Sequence, residues 1–213
     1  MPGGWPVGVE ERVTAIAGLV ISFCVALVLL AVAVNFARAE RSGEVAQRRR
    51  SPVATGTMLL FLLAFYLLLH HRVGVVPVQS LPLLLLLTVV GLTLVLVGTA
   101  VNLLGRLALG GNWANQVTVY RQQTLVTRGV FRLVRHPLYA SLLWMFYGAA
   151  LVYHNLAALL AVTLVFWPMM RLRAAQEEAL LRQRFPEYAA YCRRVGRFWP
   201  RWRLGDTHEM PAD

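Results

Sequence analysis

Apolar and polar segments alternate along this chain of 213 residues in a pattern typical of a membrane protein. Five apolar segments cover about residues 13–36, 53–69, 81–104, 138–154 and 156–170. A helix of about 20 apolar residues spans the roughly 30 Å of bilayer hydrocarbon and satisfies its own backbone hydrogen bonds. The pattern therefore predicts an all-α, multi-pass integral membrane protein with five transmembrane helices.

The last two apolar segments are short, and Asn155 separates them. We expect a tight helical hairpin that turns near this residue. A polar cluster lies at each end of the hairpin: R-H-P-L-Y at residues 135–139 precedes it, and R-A-A-Q-E-E at residues 173–178 follows it. The hairpin would bring both clusters to one side of the bilayer. Ionisable groups at the hydrocarbon boundary are costly, so two such clusters together indicate a functional site.

Composition supports the membrane class and decides how the charge is interpreted. Charged residues make up 15% of the chain, whereas soluble domains carry about 25%. The formal net charge is +11, and all 21 basic residues are arginines that lie mainly beside the apolar segments. This placement favours contact with lipid headgroups over binding of nucleic acid. The expected partners are therefore membrane lipids, with no nucleic acid.

The arginines also predict the orientation of the chain. Five lie in the loop at residues 37–52, and nine lie after residue 170. One lies before the first apolar segment, and one lies in the connection at residues 70–80. Because cytoplasmic flanks are enriched in Lys and Arg, we expect the N-terminus outside and the C-terminus in the cytoplasm.

Two regions follow from this layout. Residues 1–104 hold three N-terminal transmembrane helices and a basic cytoplasmic loop. Residues 105–213 hold a polar loop, helices four and five, and a cytoplasmic C-terminal helix predicted from residue 171 to about 195, where good helix formers dominate. Pro186 should break or kink this helix near Phe185.

The second region carries several motifs in a fixed order. L-V-T-R-G-V-F at residues 125–131 comes first, R-H-P-L-Y follows four residues on, and R-A-A-Q-E-E begins the last predicted helix. Phe185, Tyr188, Tyr191 and Val195 then form a spaced apolar run. Over about residues 105–200 the chain resembles the isoprenylcysteine carboxyl methyltransferase family, part of a wider group that includes phospholipid N-methyltransferases.

The resemblance implies an S-adenosylmethionine-dependent methyltransferase whose acceptor is lipophilic and comes from the bilayer. The acceptor would be an isoprenylcysteine-type carboxylate, a thiol or a lipid amine. Arg173 and Glu177 would be the catalytic residues, with Arg173 also binding the substrate, and no metal is implied. The cofactor-binding residues implied by the resemblance are Gln116, Gln123, Thr124, Leu125, Val126, Phe131, His136, Pro137, Leu138, Tyr139 and Glu177.

These roles agree with the chemistry of the cofactor. Its sulfonium is positive, so a carboxylate such as Glu177 and the ring face of Tyr139 would favour it. Arg173 precedes Glu177 by four residues, which puts both on one helical face. A guanidinium there can hold an acidic or phosphate-bearing substrate while Glu177 stays with the cofactor. We therefore expect Tyr139 and Glu177 to lie around one cavity.

Three positions depart from the usual pattern of the family. Ser141 and Pro186 stand where glycine is usual, and Phe131 stands where tyrosine is common. None of these departures removes a charged site residue, so the resemblance still implies an active enzyme.

Two other functions compete with the methyltransferase. An NADPH-dependent membrane reductase of the sterol-reductase type would use arginines of the tail for the 2′-phosphate, but Glu177 and Glu178 would repel it. A non-catalytic membrane scaffold is disfavoured by the number of polar positions that match.

Overall fold

The computed structural model describes residues 8–40, 45–48, 52–110, 118–120 and 124–201. The predicted basic loop and the loop before the fourth apolar segment therefore lie only partly within the described residues. The helices are α1 (Val9–Glu40), α2 (Pro52–His70), α3 (Leu81–Leu109), α4 (Pro137–Val152), α5 (Leu156–Ala161), α6 (Trp167–Arg184) and α7 (Tyr188–Arg194). Two short strands, β1 (Val45–Arg48) and β2 (Thr118–Tyr120), pair antiparallel.

Apart from these two short strands, the regular structure of the described residues is helical, which agrees with the predicted helical membrane protein. Three helices in the described part of the chain are long and apolar enough to cross a membrane, at Val9–Ala37, Leu81–Leu109 and Leu156–Arg184. The shorter apolar helices are Gly56–His70 and Pro137–Val152. Large apolar side chains point outward from the helices, as lipid contact requires, for example Leu19 at 73% exposure.

A seam of small residues joins α3 to α4. Seven of the eight buried residues of α3 recur every seven positions in two rows, which is the spacing of a left-handed helix pair. A Cβ added to Gly91 would lie 2.6 Å from the carbonyl oxygen of Gly148, and one added to Gly98 would lie 2.8 Å from that of Ser141. The two backbones therefore approach too closely for side chains at these points. The two rows are Leu84, Gly91, Gly98 and Gly105, and Thr88, Val95 and Asn102.

The predicted turn at Asn155 is confirmed. The Asn155 side chain accepts a hydrogen bond from the amide of Ala158 at 2.8 Å and so caps α5. Its Nδ2 donates to the carbonyl of Leu68 at 3.1 Å, which ties the turn to the end of α2. The hairpin is thus fixed at the end opposite the polar clusters.

The chain after this turn differs from the prediction. The fifth apolar segment and the start of the C-terminal helix form one continuous helix from Leu156 to Arg184, interrupted only by a π-turn at Val162–Phe166. A regular α-helix would place the ring of Pro168 against the carbonyl of Leu164, and the π-turn lies at that point. Nothing between residues 170 and 171 stops the helix, so the polar cluster simply extends the membrane helix.

Pro186 does end this helix, as predicted. α6 stops at Arg184, and Phe185 is extended with φ −119° and ψ 106°. The chain resumes as α7 at Tyr188. This break directs α7 and the following residues back toward the start of α4.

Candidate active site

The R-H-P-L-Y motif forms the start of α4. His136 stands just before the helix with φ −122° and ψ 63°, and Pro137 occupies the first turn. Proline suits this position because its missing N–H needs no partner at a helix start. The carbonyl of His136 accepts from the amide of Ala140 at 3.0 Å, which places Tyr139 in the first turn.

The C-terminal segment, residues 195–198, lies directly against this motif. The amide of Arg135 donates to the carbonyl of Gly196 at 2.8 Å, and the amide of His136 donates to that of Arg197 at 3.0 Å. The Arg135 guanidinium donates to the carbonyls of Cys192 and Val195. Residues about 60 positions apart in sequence therefore form one wall of the site.

Glu178 is the centre of a buried ion cluster. Its side chain is 2% exposed. It accepts from Arg135 Nη2 at 3.1 Å, from His136 Nε2 at 3.2 Å and from Arg197 Nη2 at 2.6 Å. Hydrogen bonding to Glu178 raises the pKa of the Arg197 guanidinium above its ordinary value. The carboxylate joins α6, the start of α4 and the C-terminal segment in one contact.

Glu177 has a different environment although it is the neighbouring residue. Its side chain is 38% exposed. Tyr139 donates its hydroxyl to Glu177 Oε2 at 3.1 Å, and His136 Nδ1 lies 3.6 Å from the same oxygen. The rings of His136 and Tyr139 stack with centroids 5.5 Å apart and an interplanar angle of 12°. An open carboxylate therefore lies beside two stacked ring faces.

Arg173 reaches the same place from one helical turn away. It interacts with the Tyr139 hydroxyl, as Glu177 does. The four-residue spacing thus brings Arg173 and Glu177 to one face of α6, as the sequence predicted. The structure also brings Tyr139 and Glu177 together, as expected.

The structure describes most of the other predicted cofactor residues, and their contacts are with neighbouring parts of the fold. Phe131 is buried, and its carbonyl accepts from the Tyr191 hydroxyl at 2.5 Å. Leu125 packs on the cluster of Phe185, Tyr188, Tyr191 and Val195. Pro137 and Leu138 contact α3 beside Gly105, and Thr124 and Val126 precede the turn that holds Phe131. Gln116 and Gln123 lie outside the described residues.

Sequence reasoning missed the division between the two glutamates and the contribution of Arg135 and Arg197. The sequence held one signal, because Glu178 continues a row of apolar residues spaced by four, Phe166, Met170 and Ala174. The structure shows that all four side chains are buried. An acidic residue that continues an apolar row of a helix is a candidate for a buried, paired charge. No comparable signal marked Arg197, because its contact joins distant parts of the chain.

The fold and the site define a helical integral membrane protein with an acidic and aromatic site where α4 begins and α6 leaves the apolar core. Residues 86–188 match the phospholipid methyltransferase family. This match, which covers just under half of the chain, agrees with the resemblance seen in its motifs.

Two relatives illustrate the extent of the match. The chain is 34% identical over 109 residues to a probable protein-S-isoprenylcysteine O-methyltransferase of Oryza sativa subsp. indica, covering 50% of this chain and 57% of that protein. It is 35% identical over 114 residues to the cobalt-zinc-cadmium resistance protein CzcN of Cupriavidus metallidurans, covering 53% and 50%. The chain thus spans about half the length of the curated relatives it matches.

In the described part of the chain, no three His, Cys, Asp or Glu side chains lie together as a metal site would require.

A solved structure has the same fold. It is the eukaryotic intramembrane Ras methyltransferase ICMT, isoprenylcysteine carboxyl methyltransferase, which matches with a TM-score of 0.52 at 24% sequence identity. The match covers 72% of this chain and 54% of that chain. At this identity the likeness establishes the arrangement of helices.

Proposed function

We propose that this protein is an S-adenosylmethionine-dependent methyltransferase that acts on a lipophilic acceptor reached from the bilayer. The observation that carries this proposal is the 3.1 Å contact between the Tyr139 hydroxyl and the half-exposed Glu177 carboxylate. It joins the two motifs at the boundary of the apolar core. The methyltransferase names of several relatives support the same reaction.

The residues around this contact fit a cationic methyl donor. The donor supplies a methyl group on a positively charged sulfur. Glu177 offers it a negative charge on a carboxylate that is 38% exposed and lies beside the Tyr139 hydroxyl. The stacked faces of His136 and Tyr139 offer the electron-rich surface that cations favour. We assign the remaining contacts to the 124–126 segment, Phe131, Pro137 and Leu138, with Gln116 and Gln123 completing the set.

Arg173 is the proposed anchor for the acceptor. Its guanidinium lies on the face of α6 that carries Glu177 and meets Tyr139. A carboxylate or phosphate of the acceptor could bind it through two parallel hydrogen bonds. The acceptor would then lie next to the donor, and the gain in rate would come mainly from positioning and exclusion of water.

The nature of the acceptor decides whether a base is needed. A carboxylate or thiolate attacks the methyl group without losing a proton in that step. An amine must release a proton, and Glu177 is the more accessible of the two glutamates, since its side chain is 38% exposed and that of Glu178 is 2% exposed. Glu178 also accepts from three cationic or ring N–H donors, those of Arg135, His136 and Arg197. We therefore assign Glu177 as the base if the acceptor is an amine.

We further propose that all five apolar helices cross the bilayer, with the N-terminus outside and the C-terminus in the cytoplasm. α4 has 16 residues and is therefore about 24 Å long, shorter than the roughly 30 Å of hydrocarbon. If its far end reaches the outer boundary, its first turn lies inside the hydrocarbon edge. The site would then open toward the lipid phase as well as the cytoplasm, with residues 1–104 as a helical support for the functional region 105–213.

The reductase alternative is not favoured. Binding of a 2′-phosphate requires arginines that converge on an open site. Arg135 and Arg197 instead converge on Glu178, and the acidic Glu177 lines the opening. Several of the similar proteins are named as methyltransferases.

A binding experiment tests the proposal. Purified protein should bind S-adenosylmethionine and S-adenosylhomocysteine but not NADPH, and membranes given labelled S-adenosylmethionine should label a lipid-phase molecule. Glu177→Gln should weaken the binding of S-adenosylmethionine about tenfold, because the variant loses a charge interaction with the sulfonium. Binding of the product, whose sulfur is uncharged, should change much less.

Glu187→Gln is the matched control, since Glu187 is exposed at the start of α7. It should bind both ligands as the wild type does. Binding of NADPH alone would overturn the proposal in favour of the reductase. Unchanged affinity of Glu177→Gln for S-adenosylmethionine would remove Glu177 from the site.

A further inference from the structure

A chain of three hydrogen bonds crosses the apolar seam between α3 and α4. Arg106 Nε donates to Asn102 Oδ1 at 2.8 Å, and Asn102 Nδ2 donates to Ser141 Oγ at 2.8 Å. Ser141 Oγ donates to the carbonyl of Leu138 at 2.8 Å. Asn102 and Ser141 are both 0% exposed. The hydrogen bonds between these two side chains therefore lie where water cannot replace a lost partner.

The donor and acceptor roles in this chain follow from the chemistry of Arg106. A guanidinium can only donate, so the atom that faces it must be the amide oxygen of Asn102. The amide nitrogen must then face Ser141, whose oxygen has to accept. The single hydroxyl proton of Ser141 is left for the carbonyl of Leu138. The three bonds are thus mutually dependent, and loss of the Ser141 hydroxyl would leave a buried amide donor unsatisfied.

The last bond of the chain acts on the first turn of α4. Ser141 bonds to the carbonyl three residues before it, an interaction that adjusts the geometry of a helical turn. That turn carries Leu138 and Tyr139, and Tyr139 meets Glu177 on the opposite side of α4. Asn102 is therefore connected to the first turn of α4 by the hydrogen bonds of Ser141.

We propose that Asn102 is a positioning residue, which fixes the first turn of α4 through Ser141 and so holds Tyr139 in place for the methyl donor. This inference rests on the function proposed above. Asn102 touches neither Tyr139 nor Glu177 in the contacts of the described residues. It acts on the site only through the hydroxyl of Ser141.

Thr99 provides a matched control on the same seam. It is buried at 5% exposure, one turn before Asn102 on α3. Its hydroxyl donates to the carbonyl of Val95 at 2.8 Å and approaches Met145 Sδ at 3.8 Å. Met145 lies well inside α4, so Thr99→Val perturbs a buried polar contact of the seam without touching the first turn.

The test compares Ser141→Gly, Ser141→Ala, Asn102→Leu, the double variant Asn102→Leu/Ser141→Gly, and Thr99→Val in detergent-solubilised full-length protein. Each single variant at Ser141 or Asn102 should bind S-adenosylhomocysteine about fivefold more weakly. The affinity of the double variant should fall by less than the product of the two single losses, because removal of the amide also removes the unsatisfied donor. Thr99→Val should bind like the wild type.

Hydrogen exchange of the peptide that covers residues 137–143 gives a second readout that needs no ligand. Exchange should be faster in the Ser141 and Asn102 variants and unchanged in Thr99→Val. Ser141→Ala separates the hydroxyl from the volume it fills, and it should behave like Ser141→Gly.

Three results would overturn the inference. These are equal losses of affinity in Thr99→Val and Asn102→Leu, strictly multiplicative losses in the double variant, or exchange at residues 137–143 that no variant changes. A wild-type protein that fails to bind S-adenosylhomocysteine would instead refute the proposed function. The exchange data would then still decide whether Asn102 fixes the first turn of α4.

Discussion

Two buried polar clusters hold the first turn of α4 from opposite sides, and they differ in charge and in reach. On the α6 side, the Glu178 carboxylate takes Arg135, His136 and Arg197 as partners. On the α3 side, Asn102 and Ser141 form a hydrogen-bonded chain that Arg106 begins. The first cluster joins three distant parts of the sequence, whereas the second joins two neighbouring helices.

The difference shows how the site is divided between support and chemistry. The neutral chain lies on a seam that the glycines already bring together, so it adds precision to an existing contact. The charged cluster joins the C-terminal segment to the helices by side chains as well as by backbone hydrogen bonds. Loss of the charged cluster should therefore affect folding, and loss of the neutral chain should affect geometry.

The largest effect is expected at Glu178. Glu178→Gln removes the only negative charge in salt-bridge contact with Arg135 and Arg197 among the described residues. Breaking a buried ion pair from one side costs about 3–5 kcal/mol. The free energy of unfolding in micelles should fall by about that amount, while Glu187→Gln should change it by less than about 0.5 kcal/mol. A Glu178→Gln variant as stable as the wild type would show that this cluster does not hold the C-terminal segment.

A smaller loss is expected at Arg197. Its side chain is 34% exposed, so water can partly replace the bonds that Arg197→Gln removes, and Arg135 still pairs with Glu178. Hydrogen bonds to charged groups contribute about 1.5–3 kcal/mol to stability. Because solvent screens the partly exposed guanidinium, the unfolding free energy should fall by an amount near the low end of that range. Arg201→Gln is the control, because Arg201 is exposed and donates only to the carbonyl of Arg193 in the described contacts. Equal stability of the two variants in a urea titration would contradict the assigned role of Arg197.

The sequence was sufficient to predict the parts of this molecule that depend on local pattern. Apolar length predicted the helices, Pro186 predicted the end of α6, and four-residue spacing predicted that Arg173 and Glu177 share a face. Family motifs predicted that Tyr139 meets Glu177. Each of these depends on residues close together in sequence or on motifs that carry their own spacing.

The remaining features depend on long-range geometry. Glu177 and Glu178 are chemically identical, and only the rotation of α6 about its axis decides which of them is buried. The π-turn before Trp167 changes the rotation of the helix that follows it, and Pro168 is the residue that could have indicated this turn. The contact of Arg197 with Glu178 likewise depends on the chain reversing after Pro186. The seven-residue spacing of glycines in α3 was visible in the sequence and could have predicted the seam.

The smallest effect is expected at Arg182, which makes the most direct comparison with Arg197. Both guanidiniums approach the same oxygen, Glu178 Oε2, at 3.8 Å for Arg182 and 2.6 Å for Arg197. Arg182 is 60% exposed and one turn along the helix, and exposed pairs of this kind contribute about 0.3–0.5 kcal/mol. Arg182→Gln should therefore leave the unfolding free energy almost unchanged and lose its small effect in high salt. A loss as large as that of Arg197→Gln would mean that net positive charge around Glu178, rather than buried hydrogen-bond geometry, stabilises the cluster.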